Sequence, residues 1–442
     1  MIVSWTAAFA LLLGVAQRLE AHVGIGLAVA LFFVAQELGT LMVVASAAAR
    51  SSAVARSSAA APARERSAVS VLIAALDEAG SIVASVRSVL AQENVTLEVI
   101  VADDGSTDGT ADLVTRTFGD RVGVLRLPHG GKGAALERAR SVARHPVLVT
   151  VDADTELAPN ALADLAAAFV DPRVDAAAGA VVPRNPTNVL VRFQVTEYLK
   201  NTLVRSGWSA LGALDQIPGA LAALRASSLD RAGGFPIDSL TEDYEVAFRL
   251  YALAAREGRR ILIPTVPTAR AYTEPPRTLA GLMRQRTRWF AGFLSTLWRF
   301  RSLIGRTRAA TFGLVRLPLK VVDAVLPPIG LVSLVALVLG LGSGQPMLSA
   351  LSMFLLAVRA ITDAIVQTLA IRLHARSRGP TDPVPAPSML WLITTATLEP
   401  WSYAWLKQLA VLRAYPFALA RVQTWERARE TPAPREEAAP AE

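Results

Sequence analysis

Leu97-Glu98-Val99-Ile100-Val101-Ala102-Asp103-Asp104-Gly105-Ser106-Thr107-Asp108-Gly109 is an apolar β-type run that ends in two carboxylates and a turn, with a helical pattern after Asp108. The unit recurs on both sides. Residues 69–75 precede a helix from Ser81, residues 122–127 precede one from Gly133, and residues 147–151 run into Asp152-Ala153-Asp154 before a helix from Asn160. Repeated strand-helix units specify a parallel sheet covered on both faces. They also put Asp103, Asp104, Asp152 and Asp154 at the carboxyl ends of strands, where open α/β sheets bind ligands. A strand near 174–182 and a helical portion from 188 to about 258 complete a domain of roughly 200 residues, an ordinary size.

The whole chain is less ordinary. Its 442 residues are 52% hydrophobic with a mean hydropathy of +0.38, too apolar for one soluble fold, so part of it is expected in lipid. The formal charge of +8 comes almost entirely from arginine; the only lysines are Lys132, Lys200, Lys320 and Lys407. No basic stripe with interleaved aromatics lies outside the membrane-proximal part, which directs the charge to anionic lipid and away from nucleic acid. The absence of cysteine excludes disulfides, thiolate catalysis and cysteine-held zinc.

Hydropathy divides the chain into six parts. Residues 1–49 read as a transmembrane hairpin, with a polar turn at 17–22. Residues 50–68 are an Ala/Ser/Arg-rich linker whose Arg50, Arg56, Arg64 and Arg66 place it, and the domain at 69–276, in the cytoplasm. Residues 277–320 hold amphipathic interface helices, basic and aromatic from 279 to 300. Residues 321–412 hold expected spans near 321–341, 347–373 and 389–412; residues 413–442 are an interfacial helix and a disordered tail. Three such spans put the tail outside, whereas Arg413, Arg421, Arg427 and Arg429 argue for inside; Glu399-Pro400 marks a place where the last span can break or re-enter. Arg359 and Asp363 sit one turn apart inside a span and can pair, lining a channel or simply bracing the helix.

Two further signatures follow the Asp motifs in order: Thr241-Glu242-Asp243 and Gln285-Arg286-Thr287-Arg288-Trp289. Together the four resemble membrane-embedded family 2 glycosyltransferases, similar to bacterial cellulose, hyaluronan, chitin and poly-N-acetylglucosamine synthases. The resemblance covers 69–293 and the flanking membrane layout, and includes Gly219-Ala220-Leu221 and Gly233-Gly234-Phe235 as the family's acceptor-side loop. It implies an α/β fold class: a cytosolic, Rossmann-like GT-A domain that binds a nucleotide sugar, flanked by transmembrane and amphipathic helices.

Each motif has a chemical and a structural reading. Asp103 and Asp104 can face the uracil and ribose of a nucleotide, or form an Asx-turn with Ser106, Thr107 and Asp108 that caps the next helix. Alternation brings Asp152 and Asp154 to one side of a strand end. A diphosphate there meets repulsion of about 4 kcal/mol per unit charge pair 4 Å apart at an effective dielectric near 20, so a divalent cation is needed. Mg2+ or Mn2+ suits such an all-oxygen site. The resemblance makes Asp154 the direct metal ligand and Asp152 its neighbour on the nucleotide. Asp243, beside Glu242, is the general-base candidate; both acids also suit a helix start. Lys132, in His129-Gly130-Gly131-Lys132-Gly133, lies where glycines and a helix amino end admit an anion, and is expected to reach the nucleotide. The resemblance has Trp289 stack on the acceptor sugar, beside Gln285, and Arg288 or Arg286 neutralise the leaving diphosphate; a plain cationic interface helix is the alternative. Ala75-Leu76-Asp77-Glu78 departs from the family's Pro-x-x-Asn-Glu segment, and Glu78 is carried as its nucleotide-contacting acid.

The expected activity is inverting, metal-dependent transfer from a UDP-sugar, with synthesis and export of a polysaccharide at the inner (plasma) membrane. The partners are the donor, a polysaccharide or lipid acceptor, and membrane lipids. Two alternatives are a non-processive enzyme glycosylating diacylglycerol, ceramide or a polyprenyl phosphate, and a non-catalytic scaffold or transporter subunit.

Overall fold

A computed structural model describes residues 31–47, 49, 67–186, 188–325, 346–378, 388–399 and 402–419. The first hairpin segment, most of the linker, most of the expected span at 321–341 and the tail beyond 419 lie outside them.

The elements run α1 (Leu31–Ala47), then β1 (Ser67–Ala75), α2 (Ile82–Leu90), β2 (Val95–Asp103), α3 (Thr110–Phe118), β3 (Gly123–Arg126), α4 (Lys132–Val142), β4 (Val147–Asp152) and β5 (Glu156–Leu157). Next come α5 (Ala161–Ala167), β6 (Ala176–Pro183), α6 (Val189–Ala210), β7 (Leu221–Arg225), α7 (Ala226–Arg231), α8 (Glu242–Glu257) and β8 (Thr265–Thr273). The remainder is helical: α9 (Leu279–Arg299), α10 (Pro346–Ser377), α11 (Met389–Leu398) and α12 (Tyr403–Leu419).

The eight strands form one sheet in the order β3-β2-β1-β4-β7-β6-β8-β5. β1 to β4 are parallel, as the alternating pattern requires. Strand β1 is apolar on both sides: Val69, Val71 and Ile73 pack with α2 and α5 side chains such as Val86 and Leu162, whereas Leu72 packs with Leu136 of α4 and Phe248 of α8. The expectation of a wholly parallel sheet fails at β7, which is antiparallel to both β4 and β6. Gly219 belongs at the edge where the parallel strands end, and β7 starts two residues later, so it can only run back.

The helical periphery is tied to this sheet. Gly207 of α6 lies against Val43 of α1 so closely that a Cβ would overlap the Val43 carbonyl. Arg359 of α10 pairs with Asp363 at 3.0 Å, the predicted partner, and also with Glu37 of α1 at 2.9 Å. Arg270 of β8, only 1% exposed, donates from Nη2 to the His374 carbonyl at 2.6 Å and to Ser377 Oγ at 2.7 Å, capping the end of α10. Among the described residues one helix, Met353–Ser377, is long and apolar enough to cross a membrane. In the expected span at 389–412 the structure describes two helices, α11 and α12, on either side of residues 400 and 401, which lie outside the described ones. Glu399 closes α11 with its carboxylate on Lys200 and Lys407, and Pro400 follows in sequence, which disfavours helix at the residue before it.

Candidate active site

The loops leaving β1 and β2 are stitched together. Asp77, at φ +53°, accepts from the Thr107 N–H at 2.8 Å, Asp108 accepts from the Ala79 N–H at 2.9 Å, and Thr110 Oγ1 accepts from the Glu78 N–H at 2.9 Å. Asp103 accepts the Ser106 hydroxyl and N–H. Asp104 accepts the Gly130 and Gly131 N–H groups at 2.8 and 2.9 Å and lies 2.9 Å from His129 Nδ1. Both carboxylates are buried; Asp103 closes the expected turn on Ser106, but α3 is capped by Gly109 without a side-chain hydrogen bond and the Thr107 N–H goes to Asp77. Glu78 takes the Ser81 hydroxyl at 2.7 Å at the start of α2.

The clamp on Asp104 delivers the next residue, Lys132, to the centre. Its Nζ lies 2.6 Å from Asp152 Oδ1 and 2.9 Å from Glu242 Oε1, joining the end of β4 to the start of α8. Burial disfavours its charge, but Asp152 and Glu242 outweigh that and push the ammonium above its ordinary range. Beside it, Asp243 accepts from the Tyr244 N–H at 2.9 Å and the Gly219 N–H at 3.2 Å. Burial first, and then repulsion from Glu242, push its carboxyl up to about 6, against the opposing charges of Lys132 and Arg288. A Cβ on Gly219 would sit 3.1 Å from Lys132 Nζ and 3.5 Å from Asp243 Oδ2, so that position has no room for a larger residue without displacing the charges.

Asp154, two residues beyond Asp152, is met by the Thr155 hydroxyl at 3.2 Å and the Thr273 hydroxyl, at the end of β8, at 3.4 Å. Among the described residues no three His, Cys, Asp or Glu side chains converge closely enough to hold a metal unaided. Asp154 and Asp152 supply hard oxygen donors of the kind Mg2+ or Mn2+ takes, to be completed by ligand oxygens.

The aromatic motif lies on α9 and splits by face. Arg288 donates to the Leu240 carbonyl at 3.2 Å and its charge acts on Asp243. Arg286, which the sequence offered as an equal candidate for the diphosphate, turns the other way: it is 6% exposed and pairs with Glu197 of α6 at 2.7 Å. The reason is electrostatic, since a buried guanidinium needs a buried carboxylate. Trp289 lies 6.4 Å, centroid to centroid, from Tyr198, and the Gln285 Oε1 is buried without a hydrogen-bond partner. Glu197, Tyr198 and Tyr403 escaped the sequence reading. One signal was available, because Glu197 is the sole acid among residues 189–210.

Gly292 lets α9 cross directly over Thr241, whose side chain occupies the space a Cβ would need. Gly292→Val is expected to cost about 1–3 kcal/mol of stability by overpacking and to lower transfer at least about tenfold by lifting α9 from the Asp243 loop. Thermal unfolding alongside initial rates checks both.

Residues 70–229 match the family described as Glycosyl transferase family 2. That match falls on the mixed α/β, Rossmann-like sheet that carries the carboxylate cluster. Among curated relatives, the poly-beta-1,6-N-acetyl-D-glucosamine synthase of Staphylococcus aureus (strain MSSA476) is 28% identical over 239 residues, 53% of this chain and 57% of that protein. The synthase of the same name from Staphylococcus epidermidis is 28% identical over 235 residues, 52% and 56% of the two chains. The chain thus spans little more than half the length of the curated relatives it matches. Among solved structures, a mannosyltransferase from Pyrobaculum calidifontis, in complex with GDP-Man and Mn2+, superposes with a TM-score of 0.50 at 20% identity, covering 88% of this chain and 99% of that one.

Proposed function

We propose that this chain is an inverting, metal-dependent glycosyltransferase that uses a UDP-sugar and elongates a polysaccharide at the cytoplasmic face of the plasma membrane. The observation that carries the reading is the junction at Lys132, where a donor-side carboxylate, Asp152, and the acceptor-side pair Glu242 and Asp243 meet across one ammonium. The synthase relatives, 28% identical over 239 and 235 residues, support the polymer product.

Asp243 takes the proton from an acceptor hydroxyl as that oxygen attacks C1 of the donor sugar. The C1–O bond to the diphosphate breaks, its electron pair leaves with UDP, and the configuration at C1 inverts. Lys132 and Arg288 set positive charge where the diphosphate develops its negative charge. Asp154, with Asp152, would hold a divalent ion, whose charge would further neutralise that leaving group.

Membranes containing the protein, incubated with individual radiolabelled UDP-sugars and with GDP-mannose, test the reading. Incorporation from one UDP-sugar into long polymer is the expected result. A labelled product of one or two sugars on lipid overturns the polymer assignment, and incorporation from GDP-mannose alone overturns the donor.

A further inference from the structure

The charges buried between α6, α9, α11 and α12 have no part in the chemistry above. They form an alternating chain. Lys200 meets Glu399, which also takes Lys407 at 3.1 Å; Lys407 lies 3.7 Å from Glu197. Glu197 accepts from Arg286 Nη2 at 2.7 Å and from the Tyr403 hydroxyl at 2.7 Å. Arg286 ends the chain, with its guanidinium 4.2 Å from the centroid of the Trp289 ring, one turn along the same helix.

That last contact has a consequence for the ring. A guanidinium stacked at this distance covers one face of an indole and is attracted to it. The opposite face is then the one left for a sugar. Arg286 Nε and Nη1 are buried without hydrogen-bond partners, so its charge is matched through Nη2 and through the rings of Trp289 and, at 6.0 Å, Tyr198. If Glu197 is neutralised, an uncompensated charge remains in a closed space, and the guanidinium must leave. Burial works against the Glu197 charge, but Arg286 and Lys407 outweigh it and hold the carboxyl down at about 2, so it stays ionised.

We infer that Glu197 and Tyr403 are positioning residues for the acceptor platform: through Arg286 they fix the plane and the open face of Trp289. Helix α12 thereby acquires a role, since it delivers Tyr403 and Lys407 to Glu197. The inference rests on the reading of Trp289 as the platform, but its test needs no substrate.

The full chain is labelled with 5-fluorotryptophan in lipid nanodiscs, and the 19F line of Trp289 is identified by its loss in Trp289→Phe. In Glu197→Gln that line is expected to shift by more than its own width, while those of Trp208 and Trp298 hold. Tyr403→Phe, which removes one hydroxyl from the same carboxylate, is expected to shift it in the same direction by less, and it carries the test if Glu197→Gln does not fold. A Trp289 line that stays in place overturns the inference. So does movement of Trp208 and Trp298 along with it, which marks general loss of packing. A Trp289 line that shifts in Glu197→Gln, when the wild-type protein transfers no sugar, keeps the positioning network and rejects the proposed function instead.

Discussion

With Asp243 replaced by asparagine, sugar transfer is expected to fall about 10³-fold, the middle of the range that a positioned base supplies, with the amount of folded protein unchanged. The substitution keeps the shape and one acceptor oxygen, for the Gly219 or the Tyr244 N–H, and removes the negative charge and with it the capacity to take a proton. The pH profile adds an independent check. A base must be ionised to act, so the wild-type rate rises with pH through the Asp243 pKa of about 6 and levels above it. Glu242 raises that value by repulsion; Glu242→Gln therefore moves the acid limb to lower pH, whereas a lost structural cap would change the rate at all pH values alike. A wild-type rate in Asp243→Asn, or a limb that ignores Glu242, removes Asp243 from the role.

Asp154→Ala is expected to have an effect of similar size by a different route. Loss of one carboxylate at a cation leaves about 4 kcal/mol of diphosphate repulsion unanswered at an effective dielectric near 20, which corresponds to about 10³-fold in rate. In the wild type, EDTA removes transfer and added Mn2+ or Mg2+ restores it. In Asp154→Ala the saturating metal concentration moves up or is never reached, and Mn2+ binding followed by electron paramagnetic resonance weakens in step. Retained Mn2+ affinity with lost transfer shifts the metal role from Asp154. Asp152 is the less clean target, because its removal also frees Lys132.

Much of the catalytic half was readable without coordinates. Strands β1, β2 and β4 announce themselves as apolar runs, and a motif that directly follows such a run can be assigned to a sheet edge from local pattern alone. Asp103, Asp104, Asp152 and Asp154 were placed this way. The turn of Asp103 on Ser106 is local and was readable too, whereas Asp104 grips the Gly130-Gly131 backbone, a contact that depends on where a loop some 26 residues away comes to rest.

The motif on α9 shows the same division more sharply. Gln285 to Trp289 can be recognised as a string, yet Arg286 and Arg288 are alike in type and two positions apart, and nothing local says which faces the carboxylates. The answer depends on Glu197, 89 residues earlier, and Tyr403, 206 residues beyond Glu197. The segment at 389–412 follows suit: composition marks it as apolar, but not that Glu399 within it finds Lys200 and Lys407 as partners.

Short-range order in the chain thus dictated the strand-helix succession and the acids at the strand ends, because side-chain periodicity and turn preference act over a few residues. The reversal of β7, the meeting of Asp152 and Glu242 on Lys132, and the turning of Arg286 towards Glu197 were decided only when the folded chain brought distant charges into one dry space, where each must find its opposite.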